Sequence, residues 1–195
     1  MKAPVTTSLC VLLVEDNNDL RDAVGQCLDS KGYKVTKCGT CREASMALER
    51  PGSSFDILLV DLKLPDGEGL EVLKKARKHN PQLLAAIMTG YASLETALKA
   101  IRLGAYDYIT KPFGFDEIEI LVRNMTDKLL LMKENREIES RLKNLSAQIE
   151  KLRDDKAELM RANRELKAGF SQILGKLDQI SGLLYGQSGS ALRPV

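Results

Sequence analysis

The chain has 195 residues, and its 29 lysines and arginines nearly balance 27 aspartates and glutamates, for a net charge of +2. This balance argues against a general electrostatic attraction to nucleic acid or to a membrane surface. The apolar stretch 9–14 is too short for a signal core or a membrane span. We therefore expect a cytoplasmic protein with one domain of typical size and an appendage.

Short apolar runs alternate with amphipathic segments over the first two thirds of the chain. The predicted strands are 9–14, 34–37, 57–60, 84–88 and 106–109, and the predicted helices are 19–30, 42–49, 69–78, 94–103 and 116 onward. This alternation predicts an α/β fold, a five-stranded doubly wound parallel sheet with right-handed crossovers. Such sheets carry their sites at the carboxyl ends of the strands.

Acidic residues and one lysine follow three of these strands. Glu15 and Asp16 follow the first strand, Asp61 ends the run of the third, and Lys111 follows the fifth. Three carboxylates at one sheet edge repel one another, and they are tolerated mainly around a hard dication, for which sparse oxygen ligands and water favour Mg²⁺. Lys111 would then pair with an oxygen of a phosphoryl group drawn in by the metal.

Thr89 ends the fourth strand, where its hydroxyl can donate to another phosphoryl oxygen. The set predicts phosphoryl transfer onto Asp61. Taken singly, each residue has a simpler interpretation: Asp16 or Asp66 as a helix cap, Thr89 as a strand-ending hydroxyl, Tyr108 as a half-buried aromatic. The constellation favours the functional interpretation.

These motifs, with Thr89-Gly90 and Lys111-Pro112-Phe113, resemble the receiver domains of two-component response regulators, in particular those of the nitrogen-regulatory (NtrC-type) subgroup. The resemblance implies a flavodoxin-like receiver fold with Asp61 as the phosphoacceptor. It also implies catalytic roles for Lys111 and Thr89, and switch roles for Thr89 and Tyr108, whose inward movement would reshape the surface around the fourth helix, the fifth strand and the fifth helix.

The resemblance further implies Mg²⁺ as cofactor. Asp16, Asp61 and the Lys63 backbone carbonyl would bind it directly, and Glu15 would bind it through water. The family usually has a cis peptide bond before Pro112, and a sensor histidine kinase supplies the phosphoryl group.

A heptad repeat occupies the last third of the chain. Apolar residues recur every seven positions from Leu131 to Ile180, and a second set lies four residues after members of the first. The first set is Leu131, Ile138, Leu145, Leu152, Leu159, Leu166, Ile173 and Ile180; the second is Leu142, Ile149, Phe170, Leu177 and Leu184, interrupted by Asn135, Lys156 and Asn163. Taken as d and a positions, they predict a coiled coil, and leucine at d with asparagine at a favours a parallel homodimer.

Two alternatives to the dimer are a single helix folded back on its own receiver and an antiparallel hairpin broken at Gly169. An apolar stripe from Ile118 to Met132 does not continue the heptad phase, so the register changes near 129–132. We expect a receiver domain over 8–128, a coiled-coil helix over 129–184 and a disordered tail over 185–195. We expect receiver motion to reach the coil through this register change.

The leading functional hypothesis is a signalling protein whose coiled coil contacts an unknown partner protein. Apart from its own Mg-dependent phosphorylation and dephosphorylation, we expect no enzymatic activity. The sequence has neither a Gly-x-x-x-x-Gly-Lys-Ser/Thr loop nor a basic block before the zipper, so we expect no ATP hydrolysis by that route and no direct DNA binding.

The alternative is the receiver and linker of an NtrC-type transcription activator, without its ATPase and DNA-binding domains. A third hypothesis, from the enzyme class, is a phosphatase in which Gln148 or Gln172 orients water. Cys38 and Cys41 have redox-motif spacing, for which we prefer the simpler interpretation of two thiols at a strand-helix junction.

Overall fold

The computed structural model describes residues 9–91 and 93–186, with side chains through Leu183. The predicted tail 185–195 lies outside these residues, except that 185 and 186 continue the last helix. Within the described residues, we find no helix with the length and apolarity that crossing a membrane requires.

Seven strands and five helices make up the described chain. The strands are β1 Cys10–Val14, β2 Lys34–Cys38, β3 Ile57–Asp61, β4 Lys63–Leu64, β5 Gly67–Glu68, β6 Leu84–Thr89 and β7 Asp107–Thr110. The helices are α1 Asn18–Ser30, α2 Cys41–Glu49, α3 Gly69–His79, α4 Leu94–Arg102 and α5 Phe115–Gly186.

The main sheet has five strands in the order β2-β1-β3-β6-β7, and all its pairings are parallel. The order reverses between β1 and β3, since β1 pairs with β2 on one side and with β3 on the other. This is the point where open α/β sheets open a crevice at the carboxyl ends of their strands. The predicted α/β doubly wound fold is confirmed.

Alternate residues of the central strands form two separate apolar layers. One layer contains Leu12, Leu58 and Ile87 and packs against α2 and α3. The other contains Leu13 and Leu59, and includes side chains of α1 and α5. Because successive strand side chains point to opposite faces, a strand that is apolar throughout must be covered on both faces, as β1 and β3 are.

The first part of α5 belongs to this core. Ile118, Val122 and Met125 are buried against the second layer, and Leu129 packs at its edge. The apolar stripe that breaks the heptad phase is therefore the face that packs on the sheet. Contacts divide the chain into two units between Asn135 and Arg136, so α5 contributes residues to both.

The β4–β5 pair was not predicted. These two-residue strands are antiparallel and enclose Pro65 and Asp66, directly after Asp61. The sequence there indicates only a Pro/Gly loop, because two residues are too few for strand periodicity to be visible. The pair gives defined structure to the segment containing Lys63.

Candidate functional site

Three carboxylates meet where β1 and β3 end. One ligand atom each from Glu15, Asp16 and Asp61 lies within 4.8 Å of the other two. Glu15 and Asp61 are buried, whereas Asp16 is exposed. Val14 and Val60 are register partners in adjacent parallel strands, and this pairing is what brings the acids together.

Lys111 lies against the two buried acids. Its Nζ donates to Glu15 Oε2 at 2.6 Å and also to Asp61 Oδ2. The backbone N–H of Lys111 donates to the Thr89 carbonyl at 2.7 Å, which fixes the segment after β7 beside β6. The Lys111–Pro112 peptide bond is cis, as the resemblance implied.

Burial and pairing act in opposite directions on these charges. Burial raises the pKa of Glu15, and the hydrogen bond from Lys111 offsets only part of that effect. For Lys111, burial favours the neutral amine, but hydrogen bonds to Asp61 and Glu15 outweigh it and raise its pKa. Both pKa values are therefore raised, but for different reasons. Lys111 contacts two carboxylates that favour its charged form, whereas Glu15 has only one lysine and lies beside a second carboxylate.

The backbone around Asp61 is held closely. The Lys63 N–H donates to Asp61 Oδ1 at 3.0 Å, so the main chain of Lys63 lies against the carboxylate. Gly69, the first residue of α3, packs so tightly that a Cβ there would lie 2.0 Å from the Asp61 carbonyl oxygen. The helix can begin this close to β3 only because residue 69 has no side chain.

Thr89 and Tyr108 lie at the same end of the sheet, in neighbouring strands. Thr89 is fully buried, and its hydroxyl accepts a hydrogen bond from the Tyr91 N–H at 3.0 Å. The half-buried Tyr108 places its hydroxyl 2.9 Å from that of Thr96. The structure therefore shows the Tyr108 hydroxyl bound to the start of α4.

Sequence reasoning missed Thr96. This residue forms a capping box with Ser93, in which each side chain accepts a hydrogen bond from the other's backbone N–H. The capping-box spacing from Ser93 to Thr96 is visible in the sequence, but the contact with Tyr108 joins residues from two elements. No local pattern indicates such a contact.

Arg21 was also missed. Its guanidinium donates to the Glu15 backbone carbonyl at 2.7 Å and to Asn18 Oδ1 at 2.6 Å. It holds the turn between β1 and α1, which carries two of the three acids. The sequence gives one signal for this role: Arg21 lies about one turn into the helix that follows the acidic pair.

Cys38 ends β2 and Cys41 begins α2, as predicted for a strand-helix junction, and both thiols are free. Burial raises the pKa of both thiols to about 11. Since the thiolate is the reactive form, this environment disfavours redox chemistry.

The acidic cluster fits a hard divalent cation in its donor chemistry. All the donor groups are carboxylates, and the main chain of Lys63 lies beside them. Oxygen ligands of this kind, few enough to leave positions for water, suit Mg²⁺ better than softer metals.

Comparison with known proteins places these features in a family. The family model described as response regulator receiver domain matches residues 11–123. The regulatory protein AtoC of Escherichia coli (strain K12) is 30% identical over 132 residues, covering 68% of this chain and 28% of AtoC. The response regulator protein PilR of Pseudomonas aeruginosa is 28% identical over 183 residues, covering 94% of this chain and 40% of PilR. The chain thus spans well under two thirds of these NtrC-type relatives.

Solved structures agree. A CheY-like response regulator receiver domain protein from Methanospirillum hungatei JF-1 matches with a TM-score of 0.60 and 33% identity, covering 64% of this chain and 98% of that one. The beryllofluoride-activated NtrC4 receiver domain dimer matches with a TM-score of 0.56 and 27% identity, covering 62% and 98%. With the family model matching more than half of its length, the chain belongs to the response regulator receiver domain family of two-component systems.

Proposed function

We propose that this receiver accepts a phosphoryl group on Asp61 from a sensor histidine kinase and signals through a dimeric coiled coil to a partner protein. The observation that carries the proposal is the contact of one lysine with Asp61 and Glu15, at the edge where Asp16 completes an acidic cluster. Receiver domains are signalling modules rather than classical enzymes.

The chemistry follows from these contacts. An Asp61 carboxylate oxygen forms a bond to phosphorus while the bond from phosphorus to the kinase histidine nitrogen breaks. Lys111 already contacts Asp61, and its ammonium would balance charge on a phosphoryl oxygen. Transfer to water later regenerates the Asp61 carboxylate and releases phosphate.

Receiver domains bind Mg²⁺ at an acidic pocket, and here Asp16, Asp61 and the Lys63 carbonyl would hold it, with Glu15 acting through water. The bound ion supplies charge neutralisation for the transferred group. Asp16 is well suited to this role because it is the exposed member of the cluster, whereas Glu15 and Asp61 are both bound to Lys111.

Thr89 and Tyr108 form the proposed switch. Thr89 lies at the end of β6, next to β3 and its Asp61, where its hydroxyl would donate to a phosphoryl oxygen. Its inward movement would leave room for the Tyr108 ring, which would then give up its hydrogen bond to Thr96. Phosphorylation would shift the population from the resting to the active arrangement. The size of that shift is limited to the difference in free energy with which the phosphoryl group interacts with the two arrangements.

The long helix supports the coiled-coil output. Beyond Asn135 the described heptad positions are exposed in the single chain, including Leu145, Leu152 and Leu159. An exposed apolar seam of this length is stable in water when a second helix covers it. NtrC4, a structural neighbour, is described as a receiver domain dimer in its activated form.

Phosphorylation is tested by intact-mass spectrometry after incubation with phosphoramidate and Mg²⁺. Wild-type protein should gain one phosphoryl group that is lost on alkaline treatment, and Asp61→Asn should gain none. Asp66→Asn is the matched control, since it removes an exposed acid from the same loop and should still be labelled. Labelling of Asp61→Asn equal to wild type would refute Asp61 as the acceptor.

Dimerisation is tested by sedimentation equilibrium with Mg²⁺, with and without beryllium fluoride. A dimer under both conditions would mean that the coil is constitutive and that phosphorylation rearranges it. A dimer only in the treated wild type would make the receiver the controlling element. A monomer throughout would contradict the proposed output.

A second candidate is the receiver and linker of an NtrC-type transcription activator. It is favoured by the match to PilR, which extends over 183 residues and so includes most of α5. Sequencing the native reading frame past the codon for Val195 separates the two candidates. An in-frame ATPase domain supports the second, and a stop codon supports the first.

A further inference from the structure

The end of α5 differs from the rest of the heptad repeat. After a single isoleucine at d, Ile138, the d positions from Leu145 to Leu166 are all leucines, and the a positions include Lys156 and Asn163. From Phe170 onward isoleucine replaces leucine at d, and leucine lies at a: Ile173 and Ile180 occupy d, and Leu177 occupies a. All three of these side chains are more than half exposed in the single chain.

The branching of seam residues sets the number of helices. Leucine at d, with an occasional polar residue at a, favours two strands, whereas leucine at a with isoleucine at d shifts the preference to three or four. Of these two numbers, only four can be formed by joining whole dimers. The reason is geometric, because the direction in which a side chain enters the seam at a and d changes between two and four helices. One helix therefore carries a dimer pattern followed by a tetramer pattern.

Residues flanking the seam agree with this division. Leu174, at an e position, and Leu183, at a g position, are 51% and 73% exposed. In a two-stranded coil the residues at e and g flank the seam, remain exposed to solvent and are usually charged, whereas four-stranded packing covers them. Met160 is the one large apolar residue at e or g in the dimer-pattern segment 142–166.

The same part of the helix contains few charged residues. Segment 168–183 contains only Lys176 and Asp178 as charged residues, while segment 136–166 is rich in both signs. A wide apolar face with few charges suits contact with further apolar helices.

We infer that segment 166–183, the tetramer segment, packs with the same segments of three further copies of this chain and so joins two coiled-coil dimers. This rests on the proposed dimeric coil, whose N-terminal heptads would remain two-stranded. The asparagines at a hold each pair parallel and in register, and the tetramer segment then unites two pairs at their ends.

The test is sedimentation equilibrium of the full chain over a range of concentrations, comparing wild type with Ile173→Leu/Leu177→Ile/Ile180→Leu. This variant conserves volume, apolarity and helix propensity but restores the dimer pattern. We expect wild type to reach the mass of four chains at high concentration, and the variant to stop at two with unchanged circular dichroism.

Charged substitutions provide a second measurement. Leu174→Lys/Leu183→Glu should also stop at two chains, while Met160→Lys, the matched control at an e position of the dimer pattern, should still reach four. A wild-type dimer at every concentration would overturn the tetramer, leave the proposed dimer intact and leave the face open to another partner. A monomer would overturn both, and a tetramer unaffected by either variant would place the contact elsewhere and refute the inference.

Discussion

The hydroxyl pair of Tyr108 and Thr96 should restrain the switch. Their oxygens lie 2.9 Å apart, and Tyr108 cannot keep this bond if its ring moves toward Thr89. Tyr108→Phe removes the bond and retains the ring. We therefore expect this variant to destabilise the resting arrangement selectively and to respond to beryllium fluoride at lower concentration.

The size of the effect follows from the bond. A neutral hydroxyl pair contributes about 1 kcal/mol net, equivalent to about a fivefold change in an equilibrium constant. When the active arrangement is the minor one, apparent affinity scales with its population. The beryllium fluoride midpoint, followed by fluorescence or NMR in Mg²⁺, should thus fall about fivefold in Tyr108→Phe.

A double-mutant cycle isolates the bond. Thr96→Val removes the same bond together with the capping-box hydrogen bond from Ser93, and it should shift the midpoint in the same direction. Tyr108→Phe/Thr96→Val should shift the midpoint no further than Thr96→Val alone, because the bond to Tyr108 is already lost there. Thr96→Ser keeps the hydroxyl and should behave as wild type. Independent, multiplying shifts would show that the two residues act separately.

Tyr33→Phe is the matched control. The Tyr33 and Thr126 hydroxyls are 3.0 Å apart and join the start of β2 to α5, away from the proposed switch. This variant should lose a similar free energy of unfolding with no change in midpoint. A midpoint unchanged in Tyr108→Phe, or shifted equally in Tyr33→Phe, would refute the restraint.

Four further predictions concern packing and charge. Gly69→Ala should lower the free energy of unfolding by about 1–3 kcal/mol in urea titration, because its Cβ meets the Asp61 backbone, while Gly114→Ala, in open space, should have little effect. In folded protein at pH 8, Cys38 should react with a disulfide reagent about 100-fold more slowly than in the unfolded chain, because its pKa is about 11 rather than 9.0. Cys41 shares this shift, so above pH 9 the folded state keeps protons that the unfolded state loses. The free energy of unfolding should therefore fall as the pH rises from 9 to 11, and a flat profile over that range would contradict the shift. Lys156→Leu should tighten the dimer roughly 900-fold by sedimentation, about 2 kcal/mol for each of the two buried leucines, one per chain, and an unchanged dissociation constant would place residue 156 outside the seam.

The sheet and the approach of the acids to Lys111 were predictable because both follow from periodicity and topology. Short apolar runs bounded by turn residues, such as 57–60, are typical of strands covered on both faces, and parallel strands bring their carboxyl ends together. Glu15, Asp61 and Lys111 therefore had to lie near one another, and the structure shows them in contact.

Individual hydrogen bonds made by side chains outside the acidic cluster and Lys111 were beyond this reasoning. The bonds of Arg21 to the Glu15 carbonyl and of Thr96 to Tyr108 depend on side-chain conformations that tertiary packing selects. The β4–β5 pair was missed for another reason, since its strands are shorter than one period of a recognisable pattern.

The resting site also determines which substitutions can test its chemistry. Glu15 and Asp61 are both buried and share one ammonium, so removing the charge of Lys111 leaves two desolvated carboxylates without their partner. Breaking a buried pair in this way destabilises the folded state strongly. Loss of phosphorylation in Lys111→Met would therefore mix lost chemistry with lost folding. Asp16→Asn removes an exposed carboxylate and leaves the lysine contacts in place, so it tests the contribution of the metal site with the core intact.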